Sequence, residues 1–140
     1  MKISTKGRYA LRLMLEIASR PAGEPVSLKA VAQTQEISLK YLEQIVNQLC
    51  RAGMLTSVRG PQGGYLLSRQ PQEYRAGDIL RVTEGSLAPV ACLEDGAAFC
   101  SRWEDCATLP FWKGLQEAVV RYVDSVTLAD LLPQPDKPET

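Results

Sequence analysis

The chain has 140 residues, 45% of them apolar, and a formal net charge of zero. This length suits one compact domain with or without a dimerisation arm, and the zero net charge argues against a nonspecific nucleic-acid binder. The charge is nevertheless divided: residues 1–70 carry +6, from ten Lys and Arg against four Asp and Glu, and residues 71–140 carry −6, from six against twelve. We expect only the first half to meet phosphate, with chance segregation of charge as the alternative.

The sequence predicts neither a secretory signal nor a membrane span. Its N-terminal apolar residues are helically spaced and interrupted by Arg12 and Glu16, and no apolar stretch approaches the length of a bilayer crossing. We therefore expect a cytoplasmic protein with no membrane association. In that compartment its four cysteines are more typical of free thiols or metal ligands than of a disulfide framework: Cys50, Cys92, Cys100 and Cys106.

Three helices are predicted in the first third of the chain, each with apolar residues at helical spacing. The first runs from about Thr5 to Ser19, with an inward face of Ala10, Leu11, Met14, Leu15 and Ala18. Ser27 and Ser38 are predicted to cap the second helix, residues 28–33, and the third, because a serine hydroxyl can accept a bond from a first-turn amide. Two short helices separated by a tight turn at residues 35–36 are typical of a helix-turn-helix.

The third helix carries the main functional hypothesis. Gly53 is predicted to end it as a left-handed cap. Its apolar residues predict one buried stripe, made of Leu39, Leu42, Ile45, Val46 and Leu49. Donors, acceptors and an aromatic ring fall largely off that stripe, which suits a helix presented to base edges in a major groove: Lys40, Tyr41, Gln44, Asn47, Gln48 and Arg51. An ordinary amphipathic helix with a solvated face is the alternative.

Two short strands are predicted directly after this helix, over residues 55–58 and 65–67. The segment between them, RGPQGG, contains Arg59 and Gly60 and is typical of a hairpin tip. A capped helix followed by a hairpin tipped with arginine has the outline of a winged helix. The helix would then occupy the major groove, while the arginine enters the minor groove, whose potential attracts guanidinium.

The second half predicts a linker, a loop and further helices. Residues 70–75 are interpreted as a polar linker, residues 76–84 as a fourth helix, and residues 91–109 as an acidic loop that contains three cysteines. Pro110 suits the first turn of a long helix that ends near Ser125. Its apolar residues cover more than one face, so we expect a homodimer formed through the same helix of a second subunit.

Two shorter features complete the chain. Thr127 is predicted to cap a last short helix that ends near Leu132. Three prolines after it, Pro133, Pro135 and Pro138, predict a disordered tail over residues 133–140.

Three motifs, MKISTKGRYAL, ISLKYLEQIV and SVRGPQGGYLL, resemble the Rrf2 family of bacterial repressors from Met1 to about Leu132. The resemblance implies a mainly α protein with a small β-hairpin: a winged helix-turn-helix DNA-binding domain over residues 1–75, and the cysteine loop and dimerisation helices over residues 76–132. It also implies a dimeric repressor that binds double-stranded operator DNA, which we expect to be an inverted repeat. The predicted DNA-binding residues are Lys2, Thr5, Lys6, Arg8, Ser38, Lys40, Tyr41, Gln44, Arg59 and Gly60.

The spacing C-x7-C-x5-C of Cys92, Cys100 and Cys106 predicts a metal site. Thiolates are soft ligands that suit iron–sulfur clusters and zinc, so we expect a labile 2Fe-2S or 4Fe-4S cluster, with redox-active thiols or zinc as alternatives. The IscR-like branch of the family implies a histidine after the third cysteine, and the NsrR-like branch an acidic residue near the partner's N-terminus. This chain has no histidine, and Lys6 and Arg8 lie in the second region. The fourth ligand is therefore open among oxygen ligands and small molecules.

A cluster-free alternative rests on MKISTKGRYAL and AGDILRVTEG, which resemble the CymR-like branch of the same family. That branch implies a regulator of cysteine or sulfur metabolism that is controlled by a partner enzyme of cysteine biosynthesis or by thiol oxidation. An enzyme is not expected. The chain has no histidine base, no phosphate-binding glycine loop before a helix and no nucleophile elbow.

Overall fold

A computed structural model describes residues 2–133, which fold mainly into helices with one antiparallel hairpin. In chain order the elements are α1 (Thr5–Ala18), α2 (Leu28–Gln35), α3 (Leu39–Arg51), β1 (Leu55–Val58), β2 (Gly64–Leu67), α4 (Ala76–Glu84), α5 (Leu109–Ser125) and α6 (Leu128–Leu131). None of the helices in this part of the chain is long and apolar enough to span a bilayer. Of the predicted tail, only Pro133 falls within the described residues.

The predicted serine caps of α2 and α3 are confirmed. The Ser27 hydroxyl accepts a bond from the Ala30 amide at 3.1 Å, and the Ser38 hydroxyl accepts one from the Tyr41 amide at 3.1 Å. Helix α2 extends to Gln35, two residues beyond its predicted end, because the chain leaves helical geometry only at Glu36, which is left-handed with φ 55°.

The inward face of α1 differs from the prediction. Ala10 and Met14 are buried as expected, but Leu13 and Ile17 complete the buried face, whereas Leu11, Leu15 and Ala18 are only half-buried. The core face is thus rotated by about one residue around the helix. The rotation follows from the packing of α1, since α1 contacts α3, α4 and α6 as well as the wing, and these elements together decide which side is covered.

Helix α3 buries four of the five predicted residues, namely Leu42, Ile45, Val46 and Leu49. The prediction that Leu39 is buried is wrong, because Leu39 is the first residue of the helix and 42% of its surface is exposed. Helical side chains lean towards the N-terminus, so a first-turn residue projects past the core even when its angular position is correct. Gly53 is left-handed (φ 74°), and the Met54 amide bonds to the Leu49 carbonyl at 2.9 Å, which closes a Schellman cap.

The two predicted strands are confirmed, with the second starting one residue earlier at Gly64, and they pair with Leu55 opposite Leu67 and Val58 opposite Gly64. Its second strand also forms an antiparallel bridge to Val26, in which the Val26 and Tyr65 amides and carbonyls exchange bonds at 3.0 and 2.9 Å. A side chain at Gly64 would collide with the Val26 backbone, so this close approach requires glycine. The bridge ties the wing to the segment that leads into α2.

The predicted polar linker contains a core residue. Tyr74 follows a single 3-10 turn, Pro71–Glu73, and is fully buried. Its hydroxyl donates to the Met54 carbonyl at 2.7 Å and accepts from the Ser68 and Arg69 amides at 2.9 and 3.1 Å. Met54 precedes β1 and Ser68 follows β2. The tyrosine therefore holds the base of the wing closed from inside the protein.

The predicted fourth helix is confirmed over Ala76–Glu84, and Ile79 and Leu80 are buried. Helix α5 starts at Leu109, with Pro110 in its first turn, and ends at Ser125 as expected. Leu128 of the capped helix α6 belongs to the same core as the residues of α1 and α3. The core is thus continuous across residue 75, where the sequence predicted a domain boundary, and that division stays a prediction.

Candidate nucleic-acid interface

Four polar side chains form an exposed row on α3, directly opposite its buried stripe: Lys40, Gln44, Asn47 and Arg51. They occur at intervals of three or four residues, so they lie one above the other along one face of the helix. Together they provide two cations and two amide groups, which are the groups that form bidentate contacts to guanine and adenine edges. The row has the chemistry of a major-groove surface.

Two further residues of α3 modify this surface. Glu43 is exposed beside the row and was not among the predicted residues, although a carboxylate can accept from the amino group of cytosine. Gln48, which was predicted on the polar face, is half-buried instead, and its Oε1 atom is buried without a hydrogen-bond partner within residues 2–133. The position of Glu43 directly before Gln44 and off the apolar stripe is a signal that the sequence already contained.

Tyr41 lies at the edge of the polar surface rather than at its centre. Its ring is half-buried and packs edge-on against the ring of Tyr9, with 5.7 Å between centroids and an angle of 80° between planes. Tyr9 belongs to α1, so this aromatic pair connects the first helix to the first turn of α3. Ser38 is exposed, and its hydroxyl is engaged in the helix cap.

The wing tip presents Arg59 and Gly60 to solvent. Gly60 has φ 107°, a conformation that side chains rarely adopt, and its carbonyl accepts a bond from the Gly63 amide at 2.9 Å. The turn is therefore tight, and Arg59 stands at the end of β1 with its side chain exposed. The contact of Arg59 with a groove stays a prediction.

The N-terminal residues that were predicted to contact DNA are spread over different surroundings. Thr5 and Arg8 are exposed on α1, whereas Lys6 is half-buried. Lys2 lines a cavity of about 220 Å³ together with side chains of α4 and α5, including Glu84 and Val119. The structure does not bring Lys2 next to α3. Its contact with phosphate stays a prediction, as do those of Thr5, Lys6 and Arg8.

Helix α4 holds the residue that precedes α1. The Glu84 carboxylate accepts bonds from the Ser4 hydroxyl and from the Ser4 amide, the latter at 3.0 Å. The same oxygen occupies the space that a side chain at Gly7 would need. Ser4 in turn caps α1 by accepting a bond from the Gly7 amide at 3.3 Å. Glu84 thus fixes where α1 begins.

Helix α4 is also bound to α5, through a cluster of ion pairs. Arg81 makes a bidentate contact with Asp124, at 2.8 and 2.9 Å, and Arg75 pairs with Asp78 at 2.9 Å. The hydrogen bonds from Arg81 lower the pKa of Asp124 below its usual value. Burial alone would raise the pKa of Asp78, but hydrogen bonds from Arg75 outweigh it and lower this pKa as well. Both carboxylates are therefore ionised at neutral pH.

The cysteine loop lies between α4 and α5, and its three cysteines are free and half-buried. Cys92 belongs to a 3-10 turn, Ala91–Leu93, and Cys106 lies just before α5, with its sulfur 3.4 Å from the Thr108 hydroxyl. The contact with the Thr108 hydroxyl lowers the pKa of the Cys106 thiol, and a bond from the Thr108 amide lowers it further. Cys100 is in the turn-rich segment between them.

These thiols do not form a metal site in this arrangement. Within residues 2–133, no group of three or more Cys, Asp or Glu side chains could hold a metal ion. The four acidic residues that could supply oxygen ligands are exposed along the same loop: Glu94, Asp95, Glu104 and Asp105. The loop is built of separate hydrogen-bonded turns, and Cys92, Cys100 and Cys106 each lie in a different one. The predicted iron–sulfur cluster therefore does not fit the residues as they stand.

Comparison with known proteins agrees with this architecture over nearly the whole chain. The Rrf2 family model, described as an iron-dependent transcriptional regulator, matches residues 3–134. The transcriptional regulator CymR of Bacillus subtilis strain 168 is 47% identical over 131 residues, which are 94% of this chain and 89% of that protein.

Two solved structures show the same fold. The structure of CymR, the global cysteine regulator of B. subtilis, has a TM-score of 0.79 and 42% identity, and the match covers 94% of this chain and 95% of that one. The structure of T. potens IscR has a TM-score of 0.76 and 36% identity, covering 100% of this chain and 94% of that one. The fold is that of the winged-helix regulators, and the relatives are regulators of transcription rather than enzymes. The chain belongs to the Rrf2 family of transcriptional regulators.

Proposed function

We propose that this protein is a homodimeric repressor that acts in the cytoplasm and binds an inverted-repeat operator. The observation that carries the proposal is the exposed row of Lys40, Gln44, Asn47 and Arg51 on a helix that is followed by an arginine-tipped hairpin. In the winged-helix arrangement α3 lies in the major groove and the wing beside it. Lys40, Tyr41 and Gln44 then contact base edges.

The remaining predicted contacts divide between groove and phosphate. Arg59, supported by the tight turn at Gly60, enters the minor groove, whose negative potential favours a guanidinium. Phosphate contacts fix the register of the protein on the duplex and carry no sequence information. We assign them to the exposed or half-buried residues near the start of α1 and at the α3 cap: Lys2, Thr5, Lys6, Arg8 and Ser38.

The dimer is supported by the apolar surface of α5. Phe111 and Tyr122 are 64% and 70% exposed, and only Leu109 of this 17-residue helix is buried. An apolar helix face left uncovered by its own domain is typical of a subunit interface. A two-fold axis along α5 would present two copies of α3 to DNA about one helical turn, roughly 34–36 Å, apart, which is why the operator should be an inverted repeat.

For the regulation of this repressor we favour the cluster-free alternative. The relative from B. subtilis is described as a global cysteine regulator, so we propose that this chain controls genes of cysteine or sulfur metabolism. Its signal would be a partner enzyme of cysteine biosynthesis or oxidation of a loop thiol. The separate turns that hold Cys92, Cys100 and Cys106 and the lack of histidine support this choice over the cluster.

The iron–sulfur hypothesis remains the second candidate, because the family model is described as iron-dependent. In that case Cys92, Cys100 and Cys106 would supply the thiolates, and a labile 2Fe-2S or 4Fe-4S cluster would require the loop to rearrange. Anaerobic reconstitution with iron and sulfide, followed by a visible absorption spectrum, separates the two. Coloured protein that loses its colour when the three cysteines are replaced by alanine would contradict the cluster-free proposal.

DNA binding is tested by selecting duplexes from a random library with the purified protein. We expect enrichment of one inverted repeat whose half-site centres lie about 10 base pairs, or a multiple of that, apart. Fluorescence anisotropy at fixed salt then compares the enriched duplex with a scrambled duplex of the same composition. Equal affinity for the two duplexes would refute sequence-specific recognition.

A further inference from the structure

We infer that Arg12 is a positioning residue for the recognition helix, which it holds from both sides of the helix-turn-helix turn. Arg12 lies on α1 and belongs to none of the predicted DNA contacts. Its guanidinium contacts Gln35, the last residue of α2, on one side. On the other side it contacts the ring of Tyr9, which packs against Tyr41 in the first turn of α3. The inference rests on the proposed function, because it assumes that α3 is the helix that meets the bases.

The first contact is with Gln35, where α2 ends. The Nε atom of Arg12 donates to the side-chain oxygen of Gln35 at 3.0 Å, and an Nη2 hydrogen goes to the backbone carbonyl of the same residue. The last carbonyls of a helix have no partner within the helix and attract a cation. Helix α2 has no basic residue in its own last turn. Arg12 therefore supplies from α1 the cationic cap that α2 lacks.

The Gln35 side chain is held at its other end as well. Its amide nitrogen donates to one oxygen of Glu16 at 3.2 Å, and the second oxygen of Glu16 pairs with Arg20 at 2.9 Å. Both ends of the amide thus have partners, which fixes its orientation. The next residue, Glu36, takes the left-handed conformation that turns the chain towards α3. The direction in which the turn starts is consequently set by two residues of α1.

The second contact reaches α3 through an aromatic ring. The guanidinium carbon of Arg12 lies 5.2 Å from the centre of the Tyr9 ring, within the range of a cation–π contact. The Tyr9 ring in turn packs edge-on against the Tyr41 ring of α3, with 5.7 Å between the ring centroids. Movement of Arg12 would therefore release both Gln35 before the turn and Tyr41 after it. Lysine cannot replace this function, because it lacks the planar fork that bonds and stacks at once.

Direct contact between Arg12 and a phosphate is the competing explanation, since Arg12 is exposed. The two explanations differ in their salt dependence. Loss of one phosphate contact lowers the slope of log affinity against log salt by about 1 and weakens binding to all sequences alike. Loss of a positioning contact leaves the slope unchanged and relaxes the preference for bases under α3.

The experiment uses the full chain and the duplex selected by the wild type. It compares Arg12→Met, Arg12→Lys and Gln35→Met, with Arg102→Met as the control for loss of one exposed cation in a different element. We expect about threefold to tenfold weaker binding of the selected duplex by all three α1 and α2 variants, which corresponds to the loss of about one hydrogen bond. The salt slope and the binding of scrambled DNA should match the control. The double variant Arg12→Met/Gln35→Met should be weaker than Arg12→Met by less than the full Gln35→Met loss, because the Arg12–Gln35 contact is lost in both single variants.

A second measurement does not depend on DNA. The ring signals of Tyr41, observed by NMR in protein labelled on its tyrosine rings, should shift in Arg12→Met and stay in place in Arg102→Met. Unshifted rings, or unchanged affinity and base preference in Arg12→Met, would overturn the inference, and so would a fall of about 1 in the salt slope. If the wild type selects no DNA, the proposed function fails, while the ring signals still decide whether Arg12 positions Tyr41.

Discussion

Replacement of Tyr74 by phenylalanine tests how the wing is supported. The ring stays in the core and only the buried hydroxyl is lost, together with its bond to the Met54 carbonyl at 2.7 Å and the bonds from the Ser68 and Arg69 amides at 2.9 and 3.1 Å. The two amides belong to exposed residues, so water can replace the lost hydroxyl as their acceptor. The bond to the Met54 carbonyl is buried. One buried bond and two weaker ones predict a loss of about 2–3 kcal/mol in the free energy of unfolding.

Urea unfolding followed by far-UV circular dichroism measures this loss. The protein concentration must be equal for all variants, because dimerisation contributes to the apparent stability. The midpoint should fall while the slope m stays constant, since Tyr74→Phe does not change the surface exposed on unfolding. The matched control is Thr34→Val, which removes an exposed hydroxyl from α2 and keeps a β-branched side chain, so its change should stay within about 0.5 kcal/mol. A loss for Tyr74→Phe no larger than that of the control would refute the assigned role of the hydroxyl.

Three further predictions concern DNA, assembly and acid. Gln44→Ala and Arg59→Ala should each weaken binding of the selected duplex by about 1–3 kcal/mol and relax its preference at one position, and unchanged sequence preference in both would contradict the assigned contacts. Sedimentation at micromolar concentration should show a dimer, and Tyr122→Glu on the exposed face of α5 should shift it towards monomer; a wild type that is monomeric there would disprove the interface. Because the pKa of Asp124 is lowered from its usual 3.8, its stabilising contribution is present above that pH and is lost as the pH falls through the lowered value. Stability should therefore decline less steeply in acid for Asp124→Asn than for the wild type, and parallel urea-midpoint curves would argue against the ion pair with Arg81.

The sequence predicted local structure well where a single residue decides it. Ser27, Ser38 and Gly53 each act within one turn of the backbone, so their caps could be predicted from residue type and spacing alone. The two strands of the hairpin were equally local, because a glycine-rich turn directly joins them. These features depend on contacts between residues that are close in the chain, and no knowledge of the packing was needed.

The errors occurred where distant segments decide the outcome. The polar surroundings of Tyr74 suggested a linker, but its burial depends on the two ends of the wing closing over it. The face of α1 was misplaced because α4 and α6, which cover it, come much later in the chain. Leu39 has the spacing of a core residue and lies one turn too early to reach the core. The polar network of Arg12, Gln35 and Glu16 had no signal in the sequence, since it joins two helices across the turn.

Any regulatory signal that arises in the cysteine loop must reach α3 through α4 or α5. Arg81 in the last turn of α4 binds Asp124 of α5, and Glu84 in the same turn holds Ser4 just before α1. An effector changes DNA affinity only as far as it binds two arrangements of these helices with different strength. A partner that contacts only the exposed loop, or a thiol modification that changes only the loop, would leave the affinity for DNA unchanged. We expect the effective signal to be one that moves α5 against α4, because α4 contacts both α5 and α1, the helix that carries Tyr9 and Arg12.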